Sequence, residues 1–332
     1  MRRRAFIMGL GGAAVWPLAA QAQQPAKSHR IAIVSGAPVT DMNENTDVLS
    51  WRALFRQLRR LGFVEGQNLV VERYSVSGLS EGRSYDELAA DVVRREPDLI
   101  LAVRAVQSLK AATTVIPIVS VSVDPLAQGM VTSLARPGGN ITGVSLTAGL
   151  GILGKRLDLL KGLLPKLSKV GFLATRQYWE DAPGVALREA AQRMGIVNVG
   201  AVLEVAREPE YRRAFAMMKQ EAVDGLVVSD QSENFTHRQI IVELAANGRL
   251  PAIYAYRQIA EIGGLMSYGA DVAEVFRIAA AQIDQILKGA KPGDLPIQQP
   301  TRFEMVLNMK TAKALGLTIP PLVLVQADAV IE

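Results

Sequence analysis

The sequence predicts an α/β protein made of two βα lobes of the same design. Short apolar runs alternate with amphipathic helical patterns, which is typical of a doubly wound parallel sheet. The alternation stops at residues 124–145, where turn-forming Asp-Pro and Pro-Gly-Gly-Asn stretches cluster, and then it begins again. The chain, at 332 residues, is long enough for two domains with hydrophobic cores. We therefore expect residues 124–145 to contain the first crossing between the lobes, beside a cleft.

The first half shows strand and helix patterns in regular alternation. Three short apolar runs are typical of buried parallel strands, whereas a fourth run carries Glu72 and Arg73 and is only half apolar. Apolar residues at helical spacing lie between the runs. The predicted order is strand 29–34, helix 51–61, strand 69–76, helix 86–95, strand 98–103, a short helix and strand 116–121.

The second half repeats these local patterns after a predicted helix at 155–164. Residues 168–173, 224–228 and 250–253 correspond in order and type to 28–34, 98–102 and 116–119.

In the last part of the chain, the patterns predict that the polypeptide crosses again between the two lobes. A strand pattern at 263–269 precedes a helix at 271–287, with Asp271 as its N-cap and Gly289 as its stop. A Pro-rich connection at 292–301 and a further strand follow. Several connections would form a hinge. We assign residues 28–146 with 268–296 to the N-terminal lobe, and 147–267 with 297–332 to the C-terminal lobe.

Residues 1–22 have the layout of a secretory signal peptide, with a basic start, an apolar middle and an Ala-Gln-Ala ending before Gln23. Arg3 and Arg4 also fit a twin-arginine signal, which would export the protein folded. The apolar middle is shorter than the roughly 20 residues of a spanning helix, which argues against a membrane anchor. Without the three signal arginines, the 37 basic residues fall to 34 against 32 acidic ones, a net charge of +2. No nucleic-acid patch is implied.

The chain has no cysteine and only two histidines, His29 and His237. Disulfides, zinc–thiolate sites, iron–sulfur sites and thiol nucleophiles are excluded by this composition. We expect no metal and no cofactor. The exported protein is expected to be soluble in the periplasm and to be stabilised by its core alone.

One short pattern raises an enzymatic alternative. Residues 78–82, GLSEG, match the nucleophile elbow G-x-S-x-G and lie between a predicted strand and a predicted helix. An exported serine hydrolase would use Ser80 as nucleophile and His237 as the downstream base. The half-buried strand before it and the polar surroundings of His237 favour instead a helix-start role for Ser80 and a surface histidine. Ester hydrolysis that disappears in Ser80→Ala would support the enzyme.

Candidate ligand-binding residues follow from the strand ends. Ligands of open α/β sheets bind outside the carboxyl ends of the strands, where turns expose amides and helix N-termini. The residues predicted at those ends combine amide-rich turns, arginines, carboxylates and phenols, a set suited to a small carboxylate such as an amino acid with an apolar or aromatic body. They are Ser35, Gly36, Arg104, Asp124, Ser145, Thr175, Arg176, Ser229, Asp230, Tyr254 and Tyr268. We predict that Asp124→Ala and Asp230→Ala weaken binding without unfolding the protein.

Several longer stretches resemble a known family. They are IPIVSVSVDP and LARPGGNITGVS within 116–145, YGAD at 268–271, LKGAKPGDLPIQQPTRFEMVLNMKTAKALGLTIP at 287–320, and ADAVIE at 327–332. Together they closely resemble the ABC-transporter substrate-binding protein family, whose best-known members bind tryptophan or tyrosine. The resemblance covers nearly all of the chain after the signal.

This resemblance implies a type I periplasmic-binding-protein fold, in which two Rossmann-like lobes joined by a multi-strand hinge close on a ligand. It implies a monomer that is not an enzyme and that works with an inner-membrane permease and ATPase. Gram-positive relatives are lipoproteins, and since this chain lacks the cysteine, a freely diffusing periplasmic form is implied. A ligand-sensing lobe that signals through a partner protein remains an alternative to transport.

Overall fold

The structure is a computed structural model that describes residues 28–76, 84–126, 128–147 and 149–332. The predicted signal peptide at 1–22 and Ser80 lie outside the described residues. In the described ranges, none of the helices combines the length and the apolar character needed to span a membrane.

Five parallel strands form the first sheet, and with the helices packed on it they make the first lobe. The strands are β1 (His29–Ser35), β2 (Leu69–Ser75), β3 (Leu99–Ala102), β4 (Ile118–Ser122) and β5 (Ile141–Ser145). The first three helices are α1 (Leu49–Arg60), α2 (Tyr85–Arg94) and α3 (Val106–Ala112). The spatial order β2-β1-β3-β4-β5 is doubly wound, because successive crossovers leave β1 in both directions and place helices on both faces.

Seven strands form the second sheet, the centre of the second lobe. They are β6 (Lys169–Thr175), β7 (Val197–Leu203), β8 (Gly225–Val228), β9 (Ala252–Tyr254), β10 (Met266–Ala270), β11 (Phe303–Asn308) and β12 (Ala329–Ile331). The remaining helices are α4 (Gly151–Leu163), α5 (Arg176–Glu180), α6 (Ala182–Arg193), α7 (Glu208–Gln220), α8 (Ser232–Thr236), α9 (Arg238–Asn247), α10 (Arg257–Glu261), α11 (Val272–Leu287), α12 (Met309–Leu315) and α13 (Pro321–Gln326). The spatial order is β12-β11-β10-β9-β8-β6-β7, and β10 with β11 is the antiparallel pair.

The two lobes repeat one arrangement, as the sequence predicts. The order β7-β6-β8-β9 in the second sheet is the order β2-β1-β3-β4 of the first. In both sheets an aspartate before the third strand accepts hydrogen bonds from the start of the first strand. Asp98 Oδ2 accepts from the Arg30 amide at 2.7 Å, and Asp224 Oδ2 accepts from the Ser168 and Lys169 amides at 2.9 Å.

Asp224 makes the stability of the second lobe depend on pH in the acid range. The hydrogen bond that the Ser168 hydroxyl donates to Asp224, 2.6 Å long, is the main cause that lowers the pKa of this carboxyl. A lowered folded pKa adds stability that is complete above the unfolded value of about 3.9 and is lost as the pH falls through the folded value. We expect Asp224→Asn to reduce the free energy of unfolding at neutral pH, by less than about 1 kcal/mol because the side chain is exposed. At about pH 3 this difference from the unaltered protein should shrink.

Urea unfolding at both pH values measures this difference. Asp181→Asn is the matched control, because this exposed aspartate of the same lobe makes no capping hydrogen bond with its side chain at the start of α6. A difference in the free energy of unfolding between Asp224→Asn and the unaltered protein that does not change with pH would contradict this role of the Asp224 carboxylate.

Helix α11 returns the chain to the first lobe. Its apolar face packs against α1 and the first sheet, and the Trp51 and Phe276 rings meet edge to face with centroids 4.9 Å apart. The strand before it, β10, pairs with β9 and β11 in the second sheet. Residues 268–270 therefore pair in the second sheet, whereas the sequence led us to assign them to the N-terminal lobe. The other predicted lobe boundaries stay a prediction.

The Pro-rich connection covers the edge of the first sheet before it crosses to the second lobe. The Thr142 hydroxyl donates to the Leu295 carbonyl at 2.8 Å. The Gln298 amide donates to the Gly143 carbonyl at 3.0 Å, and the Gln298 carbonyl accepts from the Ser145 amide at 2.8 Å. These bonds pair the otherwise open edge of β5, which would be a site for unwanted strand association.

Candidate functional site

A cavity lies between the lobes at the carboxyl ends of the strands. Its lining residues come from segments that follow β4, β5, β8 and β9, from the end of β10 and from the start of α11, together with one side chain of α4. They are Val123, Leu146 and Val272 on the side of the first lobe, and Arg156, Asp230, Ala255, Tyr256 and Ala270 on the side of the second. About 250 Å³ of empty space lies between these residues, with the open solvent at its mouth included. Apolar side chains thus surround a small group of polar ones.

An ion pair, Arg156 with Asp230, forms the polar part of the cavity wall. Arg156 Nη1 lies 3.4 Å from Asp230 Oδ2, and the side chains are only 2% and 7% exposed. Arg156 Nε also donates to the Tyr268 carbonyl at 2.9 Å, on a strand that leads into the hinge. A charge at this depth is costly unless it is paired, so each member requires the other.

Two phenols complete the surroundings of Asp230. The Tyr178 hydroxyl donates to Asp230 Oδ1 at 2.5 Å, and the Tyr256 hydroxyl donates to the Asp230 backbone carbonyl at 2.6 Å. Burial, followed by the negative charge of Asp230, raises the pKa of both phenols well above their ordinary value. Both hydroxyls therefore keep their protons at neutral pH and act as donors.

A side-chain amide joins the ends of β6 and β8. Gln231 Oε1 accepts from the Thr175 amide at 2.9 Å, and Gln231 Nε2 donates to the Thr175 hydroxyl at 2.8 Å. The Ser229 hydroxyl donates to the same Oε1 at 3.1 Å and accepts from Asn234 Nδ2 at 2.8 Å. These predicted site residues, Thr175 and Ser229, thus hold the framework behind Asp230.

The first lobe places its predicted residues at the ends of β1, β3, β4 and β5. Ser35 is buried, and its hydroxyl accepts from the Ala37 amide at 3.1 Å. Arg104 is half-buried beside Gly36, where a side chain on the glycine would come within 3.4 Å of the Arg104 Nε. Asp124 Oδ1 accepts from the Leu126 amide at 3.1 Å. The Ser145 hydroxyl lies 2.9 Å from the carbonyls of the loop after β4 and of its own loop.

Two predicted residues lie away from the cavity. Tyr254 is packed in the core beneath α7 and α9, because it is the last residue of β9 and alternate side chains of a strand point to opposite faces. Arg176 is 52% exposed and forms ion pairs with Glu204 and Glu180 at the surface. Tyr268 contributes its carbonyl to Arg156, while its ring stacks on Phe303 with centroids 5.8 Å apart.

We expect Arg176→Ala to leave ligand affinity unchanged within about twofold, because exposed ion pairs contribute little and Arg176 does not line the cavity. Isothermal titration of the variant with a bound ligand measures the dissociation constant. A loss of affinity of tenfold or more would show that Arg176 takes part in ligand binding.

Sequence patterns missed Arg156, Tyr178 and Tyr256, which stand on helices or beyond the strand ends. A signal existed for Arg156, since it shares the buried face of α4 with Leu153, Leu157 and Leu160. A charged residue in an apolar helical stripe is unusual and indicates a buried partner. No comparable signal marks the tyrosines.

Comparisons with known proteins agree with this architecture. The model of the family described as ABC transporter substrate binding protein matches residues 55–331. A tyrosine-binding protein of Clostridioides difficile strain R20291 is 25% identical over 272 residues, which cover 80% of this chain and 76% of that protein.

Two solved structures share the fold. A conserved domain protein from Vibrio cholerae has a TM-score of 0.78 and 24% identity, over 92% of this chain and 100% of that one. An ABC domain from Streptococcus pneumoniae, solved in complex with L-Trp, has a TM-score of 0.78 and 23% identity over the same shares.

Proposed function

The chain belongs to the ABC transporter substrate binding protein family, and from this premise we propose that it captures a small carboxylate-bearing ligand with an aromatic or apolar body between its lobes. It is thus the substrate-binding protein of an ABC transporter. The tyrosine-binding relative and the L-Trp complex of a structural neighbour support an amino acid or aromatic acid as ligand. An inner-membrane permease and ATPase would receive the ligand after export of the protein to the periplasm, where we propose that it acts as a monomer.

The observation that carries this proposal is the interlobe cavity with one buried ion pair. Both lobes contribute to its wall, so hinge closure completes the site. The apolar wall suits the body of the ligand, and the charged and phenolic groups around Asp230 suit its polar end. Ligand binding would shift an open–closed equilibrium towards the closed state.

We propose that the protein is not an enzyme. The candidate base, His237, has its Nδ1 within 3.0 Å of the Glu233 carbonyl, and its ring lies 5.0 Å from the Tyr211 ring. These contacts give it a structural role, and it is not among the residues that line the cavity.

A thermal-shift screen of the chain from Gln23 tests the proposal. Amino acids, aromatic acids, sugars and nucleosides are compared, after mass spectrometry of the denatured protein has shown that no ligand was retained. A ligand at about 100 times its dissociation constant stabilises the protein by roughly 2.7 kcal/mol. We expect a shift with aromatic amino acids or acids and none with sugars. A shift confined to sugars or nucleosides, or none at all, would overturn the ligand class.

A further inference from the structure

Helix α5 carries two neighbouring aromatic residues with different surroundings. The helix has five residues, none of them fully buried, and it begins directly after β6. Trp179 packs on the face of the second sheet that also carries α4 and α6, and its ring centroid lies 6.3 Å from that of Phe172. Tyr178 reaches the cavity wall, where its hydroxyl donates to Asp230. One aromatic side chain thus contacts the framework of the lobe, and the next contacts the site.

Two glycines allow Trp179 to lie close to the lobe. A Cβ on Gly200, in the edge strand β7, would come within 2.9 Å of the indole ring, and a Cβ on Gly184, in α6, would overlap the Trp179 carbonyl oxygen. Glycine in the interior of a strand or a helix lowers stability relative to alanine. Glycines at both points of contact therefore indicate that the position of Trp179 outweighs this local loss.

Arg188 of α6 holds both the ring and the backbone of Trp179. Its guanidinium lies over the indole, 4.5 Å from the ring centroid, and its Nη1 donates to the Trp179 carbonyl at 2.7 Å. Neighbouring side chains of a helix point about 100° apart, so a fixed indole also fixes the direction of Tyr178. A rotation of α5 by about 10° would move the phenol by roughly 1 Å, which is enough to break its hydrogen bond to Asp230.

We propose that Trp179 is a positioning residue of the ligand site and acts through Tyr178. It holds the phenol on Asp230 and so keeps the cavity wall in the geometry that the ligand requires, before the ligand enters. Trp179 is not among the residues that line the cavity, whereas Asp230 is. This inference rests on the proposed function, and it places a determinant of affinity at the outer edge of the second sheet.

Trp179→Leu should weaken ligand binding although it changes no residue of the cavity lining. We expect the affinities for L-tryptophan and L-tyrosine, measured by isothermal titration, to fall about tenfold or more, the effect of losing one hydrogen bond to a charged group. Tyr178→Phe should cause a loss of the same size. In the Tyr178→Phe background, Trp179→Leu should change affinity by less than about twofold, because the contact through which Trp179 acts is already absent.

Phe215→Leu is the matched control for a loss of packing alone. Phe215 is a buried aromatic residue of α7, in the core cluster on the opposite face of the second sheet. We expect this variant to unfold at lower urea concentration and to keep its affinity within about twofold. If Trp179→Leu does not fold, Gly200→Ala replaces it, since the added Cβ displaces the indole while every other side chain remains. The same loss and the same lack of additivity with Tyr178→Phe are then expected.

The affinities of these variants separate the possible results. An affinity of Trp179→Leu within about twofold of the unaltered protein would overturn the inference. An equal loss in the presence and absence of the Tyr178 hydroxyl would also overturn it, and in both cases the proposed function would stand. If the unaltered protein binds neither amino acid, the proposed ligand class falls, and the ionisation of Tyr178 then decides on the inference without a ligand.

Alkaline titration of the phenols gives this second readout. Burial, followed by the charge of Asp230, raises the pKa of Tyr178 well above its ordinary value, so this phenol stays protonated at about pH 11. In Trp179→Leu the phenol leaves Asp230, and we expect one additional phenolate in the ultraviolet absorbance at about pH 11. The variant with both substitutions lacks this phenol and should not show the increase. An unchanged amount of phenolate in Trp179→Leu would overturn the inference.

Discussion

Replacing Gly143 by alanine is expected to destabilise the protein by about 4 kcal/mol or more, among the largest effects of a single substitution. Gly143 lies in β5 with φ at +153°, and an added Cβ would come within 2.0 Å of the Ser120 carbonyl oxygen in β4. The backbone of β5 cannot shift away from β4 at Gly143, because two hydrogen bonds hold it. The Gly143 carbonyl accepts from the Gln298 amide and from the buried Gln282 side chain, both at 3.0 Å. The free energy of unfolding from urea titration measures the loss.

Gly138→Ala is the matched control for this substitution. Gly138 also has a positive φ, +70°, but an added Cβ would meet nothing within 4 Å. We expect it to cost only the left-handed backbone strain of about 1–2 kcal/mol. Equal losses in the two variants would show that backbone strain, and not the close approach of β4 to β5, explains the need for glycine at 143.

Asp230→Ala is expected to abolish ligand binding and to destabilise the protein by about 3–5 kcal/mol, because Arg156 is left as an uncompensated buried charge. The sequence led us to expect weaker binding without unfolding of the protein. The structure adds a loss of stability to this expectation, since the partner charge is 2% exposed. Urea unfolding and isothermal titration of the variant measure the two effects separately.

A second variant separates charge from packing at this position. In Arg156→Met with Asp230→Ala no buried charge remains, so we expect most of the lost stability to return while ligand binding stays absent. Asp124→Ala provides the comparison on the first lobe, where the carboxylate is half-buried and its loss should change stability by about 1 kcal/mol or less. A double variant as unstable as Asp230→Ala alone would contradict the charge explanation.

Much of the fold could be predicted from local patterns. The strands β1 to β4, β6 and β8 lie within about two residues of their predicted positions. The sequence analysis did not predict β7, an edge strand in which Asn198 and Gly200 interrupt the apolar residues. It also began α4 late, because Gly151 and Gly154 in the first turn are poor helix formers.

The candidate site could be predicted only where it follows strand ends. Asp230 lies two residues after the end of β8 and Ser145 ends β5, and the general rule for open α/β sheets places such residues at one edge. The same rule included Tyr254 wrongly among strand-end residues that face the cavity. Strand β9 ends one residue later than predicted, so Tyr254 is still a strand residue and packs in the core. Tyr256, beyond the end of the strand, supplies the hydroxyl beside Asp230.

The sequence by itself determined the alternation of strands and helices, the repetition of one lobe design and the resemblance to the binding-protein family, because all three are properties of neighbouring residues along the chain. Only the tertiary structure decided which charges meet. Arg156 and Asp230 are 74 residues apart and belong to a helix and a strand end whose packing no local pattern specifies. Burial then gives this pair its importance, since the same two side chains at the surface would contribute little to stability or to selectivity.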